Sequence, residues 1–300
     1  MKLASRLFVF AAILTGPCLT DARAGFSVDI TFTGLASDYS SYLDEVTAGI
    51  QAAAADWGSK IVSSGSMSLQ VNITDDPSVP RANGGSAYTT FVGTDGGLSV
   101  WQQGALTAIT TGSTAGGGFD AIINIGVNYL VNELWFDPDP VSRVAVVPLD
   151  RTDAQSVFLH EFGHILFMNG WRHWLTGELP GDYESTFDQH VTTDGSTFYF
   201  DGERASALYG GPVPLTSGNI MHIGNAAPDP GSDLLSDLMN GVVFHRGSRY
   251  YISELDLAIA ADTGILLYGP NVVPEPSSLA LLGVGLLVVG ARRRVVRRAA

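Results

Sequence analysis

The stretch QSVFLHEFGHILFMNG, residues 155–170, holds two histidines four residues apart with a glutamate directly after the first. At about 100° per residue, His160 and His164 fall on one helical face, while Phe158, Phe162, Ile165 and Leu166 gather on the opposite side. A chain carrying such a helix must bury its apolar face and still leave the histidines on a cleft. Thr152 and Gln155 form a T-x-x-Q pattern that predicts a capping box at the helix start, and Asn169-Gly170 predicts a left-handed stop. HExxH is the spacing by which a helix presents zinc ligands. Glu161 lies about 100° round from the histidines, so it reaches a water beside the metal rather than the metal itself, the position of a general base. The competing reading is a pair of core histidines that only satisfy hydrogen bonds.

Both ends of the chain read as addresses. Residues 1–24 carry Lys2 and Arg6, the apolar run LFVFAAIL and then ARA at 22–24, the pattern of a secretory signal cut before Gly25. Cys18, the one cysteine, lies inside it. The expected mature chain therefore has no disulfide and no thiol nucleophile. Between Gly25 and Val273 stand 8 basic and 28 acidic side chains, a net −20, which argues against nucleic acid as a partner. The acidity is read as solubility outside the cell; Ca2+ held by DPDP (137–140) or DPGSD (229–233) is the alternative.

The last 30 residues, NVVPEPSSLALLGVGLLVVGARRRVVRRAA, run from Pro274-Glu275-Pro276 through an apolar stretch, Leu279 to Ala291, to five arginines. The apolar stretch is short against the roughly 20 residues of a full span, and the arginines fit the positive-inside rule. The three parts in this order closely resemble the PEP-CTERM sorting signal of Gram-negative bacteria. The resemblance covers 271–300, with a membrane segment at 277–291. It implies insertion in the inner membrane, cleavage near Pro-Glu-Pro by an exosortase-type enzyme, and delivery to the envelope, surface or extracellular matrix.

The part between is long and apolar enough for a substantial core, with 45% hydrophobic residues overall. FSVDITF (26–32) and MSLQVNIT (67–74) alternate as strands do, and helical spacing recurs over 38–62. A short helix is expected around 98–109 and a buried strand over FDAIINIGVNYL, 119–130. From Trp171 onward, turns dominate until ISELDLAIAADTGI (252–265). These elements predict an α+β fold: one domain over 25–270, with a twisted mixed sheet and the motif helix in an N-lobe (about 25–170), an irregular C-lobe (about 171–270), and a cleft between them.

Two histidines do not complete a zinc site. The short continuation HExxHxxGxxH would need glycine at 167 and histidine at 170, where this chain has Phe167 and Gly170. His173, His190, His222 and His245 remain downstream, as does Glu254 in ISELDL. The segment DLMNG (237–241), followed by RGSRYYISELDLAIAADTGI, resembles the region after the Met-turn in metzincin-like peptidases of the leishmanolysin type. That resemblance implies a metzincin-like fold in which residues 165–221 are a long insertion, His222 is the third ligand ahead of His190, and Met239 floors the site. Gly241 stands where the family's tyrosine would be, which leaves the transition-state donor open among Tyr250, Tyr251 and His173. The expectation is an exported zinc endopeptidase acting on a peptide or protein substrate, with Glu161 as base and His160, His164 and His222 on Zn2+. The alternative is a catalytically inactive surface or matrix binding protein on the same fold, with structural zinc.

Overall fold

The computed structural model describes residues 25–114 and 118–269, so the expected N-terminal signal and the C-terminal segment both lie outside the described residues. In chain order the elements are β1 (Ser27–Gly34), α1 (Leu43–Gly58), β2 (Ser66–Thr74), β3 (Ala82–Ser86), β4 (Thr89–Asp95), β5 (Leu98–Gln103) and α2 (Gly104–Thr111). There follow β6 (Ala121–Gly126), α3 (Val127–Asn132), β7 (Leu134–Trp135), β8 (Thr152–Asp153) and α4 (Ala154–Leu166). The chain continues with β9 (Tyr183–Ser185), β10 (Val191–Thr193), β11 (Phe198–Phe200), α5 (Glu203–Tyr209), β12 (Val213–Thr216), β13 (Asn219–Ile223) and α6 (Glu254–Asp262). The architecture is α+β, with several sheets.

The main sheet has the order β1-β2-β6-β3, parallel except for its β3 edge. In β2, Met67, Leu69, Val71 and Ile73 are buried on one face while Ser68, Gln70, Asn72 and Thr74 lie on the other. The buried face carries α1 and α4. Helix α1 turns Val46, Ile50, Ala53 and Trp57 inward, and Trp57 Nε1 donates to the Leu159 carbonyl of α4 at 3.0 Å. Gly49 permits this approach, because a Cβ there would stand 2.9 Å from the Phe158 ring. One contiguous apolar core runs from Phe26 through Phe162 to Phe200, Ile223, Met239 and Ile265, so it draws on both sides of Trp171.

Several boundaries differ from the sequence expectation. The helix expected over 38–62 is a 3-10 turn at Ala36–Tyr42 followed by α1, and Ile61 bridges Leu267 instead of extending the helix. The first half of 98–109 is strand β5, paired with β4 and β9. The stretch 119–130 stops being a strand at Gly126 and turns into α3. Past Trp171 the chain is less irregular than expected: β10, β11, β12 and β13 form an antiparallel sheet. Its strands are three to five residues long, too short for alternation to show.

The motif helix starts one residue later than the T-x-x-Q pattern implied. Asp153 is its cap, accepting from Ser156 N at 3.1 Å and Ser156 Oγ at 2.6 Å, while Thr152 belongs to β8 and Gln155 donates to Asp56. Asp153 has no solvent exposure. Its charge is met by Arg143 Nη2 at 2.7 Å and Arg249 Nη1 at 3.2 Å. At the other end Phe167 closes the helix, and Gly170 is not left-handed. Gly170 is needed for a different reason: a Cβ there would lie 2.3 Å from the Asp188 carboxylate, which accepts from Trp171 N and Ser185 N. Asp153→Ala should lower the free energy of unfolding by about 3–5 kcal/mol, since it removes the cap and leaves the buried Arg143 without its close carboxylate partner, while Arg249 keeps Asp137. Urea titration of the two proteins measures the difference, and an unchanged midpoint would show the cluster to be dispensable.

Candidate metal centre and cleft

Helix α4 delivers His160 and His164, and β13 delivers His222, to one point. The three Nε2 atoms stand 3.0 Å (His160–His222), 3.0 Å (His164–His222) and 3.1 Å (His160–His164) apart. His160 Nδ1 donates to the Leu238 carbonyl at 2.7 Å and His164 Nδ1 to the Met168 carbonyl at 2.8 Å. A carbonyl can only accept, so both Nδ1 atoms carry the proton and both Nε2 atoms present lone pairs. His222 Nδ1 faces the Asn219 backbone without closing a hydrogen bond of ordinary geometry. Lone pairs aimed at one point repel one another, and a cation at that point relieves the repulsion. Nitrogens around tetrahedral Zn2+ at about 2.0–2.1 Å stand about 3.3 Å apart, close to the spacing seen here. Among the described residues these three form the one group of metal-ligating side chains that converges.

Electrostatics keep the imidazoles neutral, the state a ligand requires. Burial, then the neighbouring His164, push the His160 pKa down to about 3 against the opposing pull of the Leu238 carbonyl. Burial lowers His164, and burial with both neighbouring imidazoles holds His222 well below its usual value. Glu161 moves the other way. Burial raises it to about 8, opposed by a hydrogen bond from Gly84 N–H on β3.

Glycines make the close approaches possible. A Cβ on Gly163 would stand 2.4 Å from Met239 Sδ, so the fully buried Met239 lies directly against the helix between its two histidines. A Cβ on Gly241 would meet His222 Cβ at 2.6 Å, and one on Gly84 would meet Glu161 Cβ at 2.8 Å. The turn bearing Met239 is tied to β13 by Ile223 N to Met239 O at 3.0 Å and Gly241 N to Ile223 O at 3.2 Å. His160 and His222 are thus both referenced to the same turn.

The other candidates went elsewhere. His190 Nε2 donates to the Asp262 carbonyl at 2.8 Å, His173 accepts from Leu175 N and Thr176 N in its own turn, and Glu254 is exposed in the first turn of α6. His245 does line the cleft. Tyr250 is buried with its hydroxyl accepting from His245 N, and Tyr251 is exposed beneath the Arg143 guanidinium; neither lines the cleft. Of the acids proposed for calcium, Asp137 pairs with Arg249, Asp139 binds Ser142, and Asp233 accepts from the Tyr209 hydroxyl.

The cleft above the histidines has a volume of about 910 Å³. Its wall includes residues that the sequence did not flag, among them Arg81, Tyr129 and an ion pair between Arg246 and Glu133. Burial pushes Tyr129 up to about 12, against a hydrogen bond with Thr152. No motif marks it: it reads as one more apolar residue of a strand, and only the break at Gly126 turns it toward the histidines.

Comparison with known families finds the PEP-CTERM protein-sorting motif at residues 272–294. The chain carries a PEP-CTERM signal. It is therefore an exported protein with a transient C-terminal membrane anchor, recognised by an exosortase-type sorting enzyme. No curated protein and no solved structure matches the chain.

Gly84→Ala should destabilise the protein by about 1–3 kcal/mol, because the new methyl must displace either the β3 edge or the Glu161 side chain in a packed interior. Denaturant unfolding reads this. Wild-type stability with the alanine would mean that β3 does not press on Glu161 as described.

Proposed function

We propose that the chain is an exported zinc-dependent endopeptidase. The observation that carries the reading is the convergence of three neutral imidazole nitrogens at the floor of an open cleft, with the Glu161 carboxyl beside them. The metzincin-like resemblance of the DLMNG segment supports it, as does Met239 lying beneath Gly163. His160, His164 and His222 would hold Zn2+, their Nδ1 partners fixing the ring of His160 against Leu238 and that of His164 against Met168. Bound there, Zn2+ would supply Lewis acidity and positive charge, making water nucleophilic near neutral pH and drawing Glu161 down from about 8 toward its ionised form.

Glu161 then takes a proton from water on the cleft side and returns it to the leaving amine. The Gly84 N–H fixes one carboxylate position during that exchange. Among the described residues strand β3 pairs only with β6, and its residues from Ala82 to Gly84 line the cleft, so an extended substrate can lie along that edge. A purely structural zinc site has no use for a carboxyl at this place, which favours an enzyme over a binding module.

Purified protein should contain about one zinc per chain, and His222→Ala should lose it whereas His190→Ala should not. Glu161→Gln should keep zinc and fold while cleavage of casein falls about 10²- to 10⁴-fold. Elemental analysis and a casein assay give both readouts. Full zinc retention by His222→Ala would overturn the ligand set; a zinc-loaded parent that cleaves no peptide bond would overturn the enzymatic reading.

A further inference from the structure

Four aliphatic side chains within nine residues stand almost wholly in solvent: Val141 is 86% exposed, Val144 80%, Val146 87% and Leu149 88%. Such a cluster is unusual on the surface of a soluble protein. The loop that bears them has no regular secondary structure, yet it is firmly held. Arg143 turns inward to Asp153 and to the Tyr250 carbonyl, Arg249 grips Asp137 and the Ala145 carbonyl, and Val147 is buried. Arg143 has φ of +50°, a conformation that L side chains adopt at a cost and that persists only where the surroundings enforce it. Its inward turn leaves Val141 and Val144 facing outward.

The loop reaches the C-terminal end of α1, and the last described residues run beside the same end. Arg143 Nη1 is 4.0 Å from Asp56 near the end of α1. The Lys60 carbonyl, four residues on, accepts from Tyr268 N at 2.7 Å, and Val62 N donates to the carbonyl of Leu266, itself 72% exposed. The sorting motif begins at residue 272. Its apolar run starts at Leu279, so a fully extended connection from Gly269 spans at most about 35 Å. While the anchor is inserted, Gly269 stays within that distance of the bilayer, and the loop is tethered with it.

We propose that the 141–149 loop is a lipid-contacting surface that dips into the interfacial zone of the bilayer while the C-terminal segment anchors the chain. Tyr251, 56% exposed against Arg143, suits the same zone. The contact is apolar rather than electrostatic, because the flanking side chains Asp139 and Asp150 are acidic and exposed. Leu149 also lies against Gly247, next to Arg246 of the cleft wall.

The signal-cleaved chain has no cysteine, so Val146→Cys gives a unique labelling site at an exposed position. The anchored chain, carrying an environment-sensitive dye there, is reconstituted into phosphatidylcholine vesicles containing a nitroxide-lipid quencher. Quenching should exceed by about twofold or more that of the same dye on Ser196→Cys, in the exposed β10–β11 turn, and should persist in high salt. Equal quenching at the two positions would overturn the proposal, as would its loss in salt. Concentration-dependent burial of the dye without vesicles would also overturn it, assigning the patch to contact between copies of the chain.

Discussion

The hydrogen bond from His160 Nδ1 to the Leu238 carbonyl joins the central helix to the turn at 237–241, and the geometry of the histidine cluster follows from that joint. The turn binds both edges of Ile223, immediately after His222, and slides Met239 beneath Gly163. It is itself suspended from α6. Asp237 accepts from Met239 N through one carboxylate oxygen and from Ser253 Oγ through the other. Ser253 caps α6 in a reciprocal box with Asp256. Burial, and Asp237 beside it, raise the Asp256 pKa well above the usual carboxylate range. A helix cap some 90 residues from the HExxH motif thereby positions the motif's first ring.

This explains which parts of the site were legible. His160, Glu161 and His164 announce themselves through spacing on a single helix, where the period of 3.6 residues dictates their common face. His222 carries no such local mark. Its own residues left it one of several candidates beside His173, His190, His245 and Glu254, and the preference for it rested on the resemblance of DLMNG to a Met-turn. Its position depends on the β12–β13 hairpin, whose register shifts between Leu215 and Thr216, something no spacing rule reports. The same holds for the helix start. Thr152 and Asp153 are both competent caps by type, and the choice was made by Arg143 and Arg249, ten and 96 residues away.

Strands were legible where they are long and half-buried, as in β2, and illegible where pairing rather than burial defines them. Residues 98–103 have apolar Leu98, Val100 and Trp101, a pattern that suits a helix as well as a strand, and β4 and β9 decide between them by pairing on either side. Tyr129 entered the cleft wall through a change of element at Gly126, where a side chain would collide with the Val79 carbonyl at 2.3 Å. Tertiary contact, not composition, fixed that corner.

The acid excess also shapes how the folded chain is tied together. With 8 basic residues against 28 acidic ones between Gly25 and Val273, most carboxylates cannot find an arginine, and many bind backbone N–H groups instead. Asp188 gathers the amides of Trp171, Arg172 and Ser185, Asp262 those of Arg204 and Ala205, and Asp120 that of Ser68. Such charge-assisted bonds are stronger than neutral ones. They join segments that, in a chain without disulfides, have no covalent staple. On exposed turns, backbone N–H and side-chain hydroxyl donors together hold Asp76 and Asp194 below the usual carboxylate range, and the Ser142 hydroxyl, then its N–H, does so for Asp139. A carboxyl whose pKa falls on folding supports the fold above its unfolded value and loses that support only as pH drops below it. At Asp76, Asp139 and Asp194 the local turn bonds are therefore kept through mild acid and lost only as these carboxyls take up their protons.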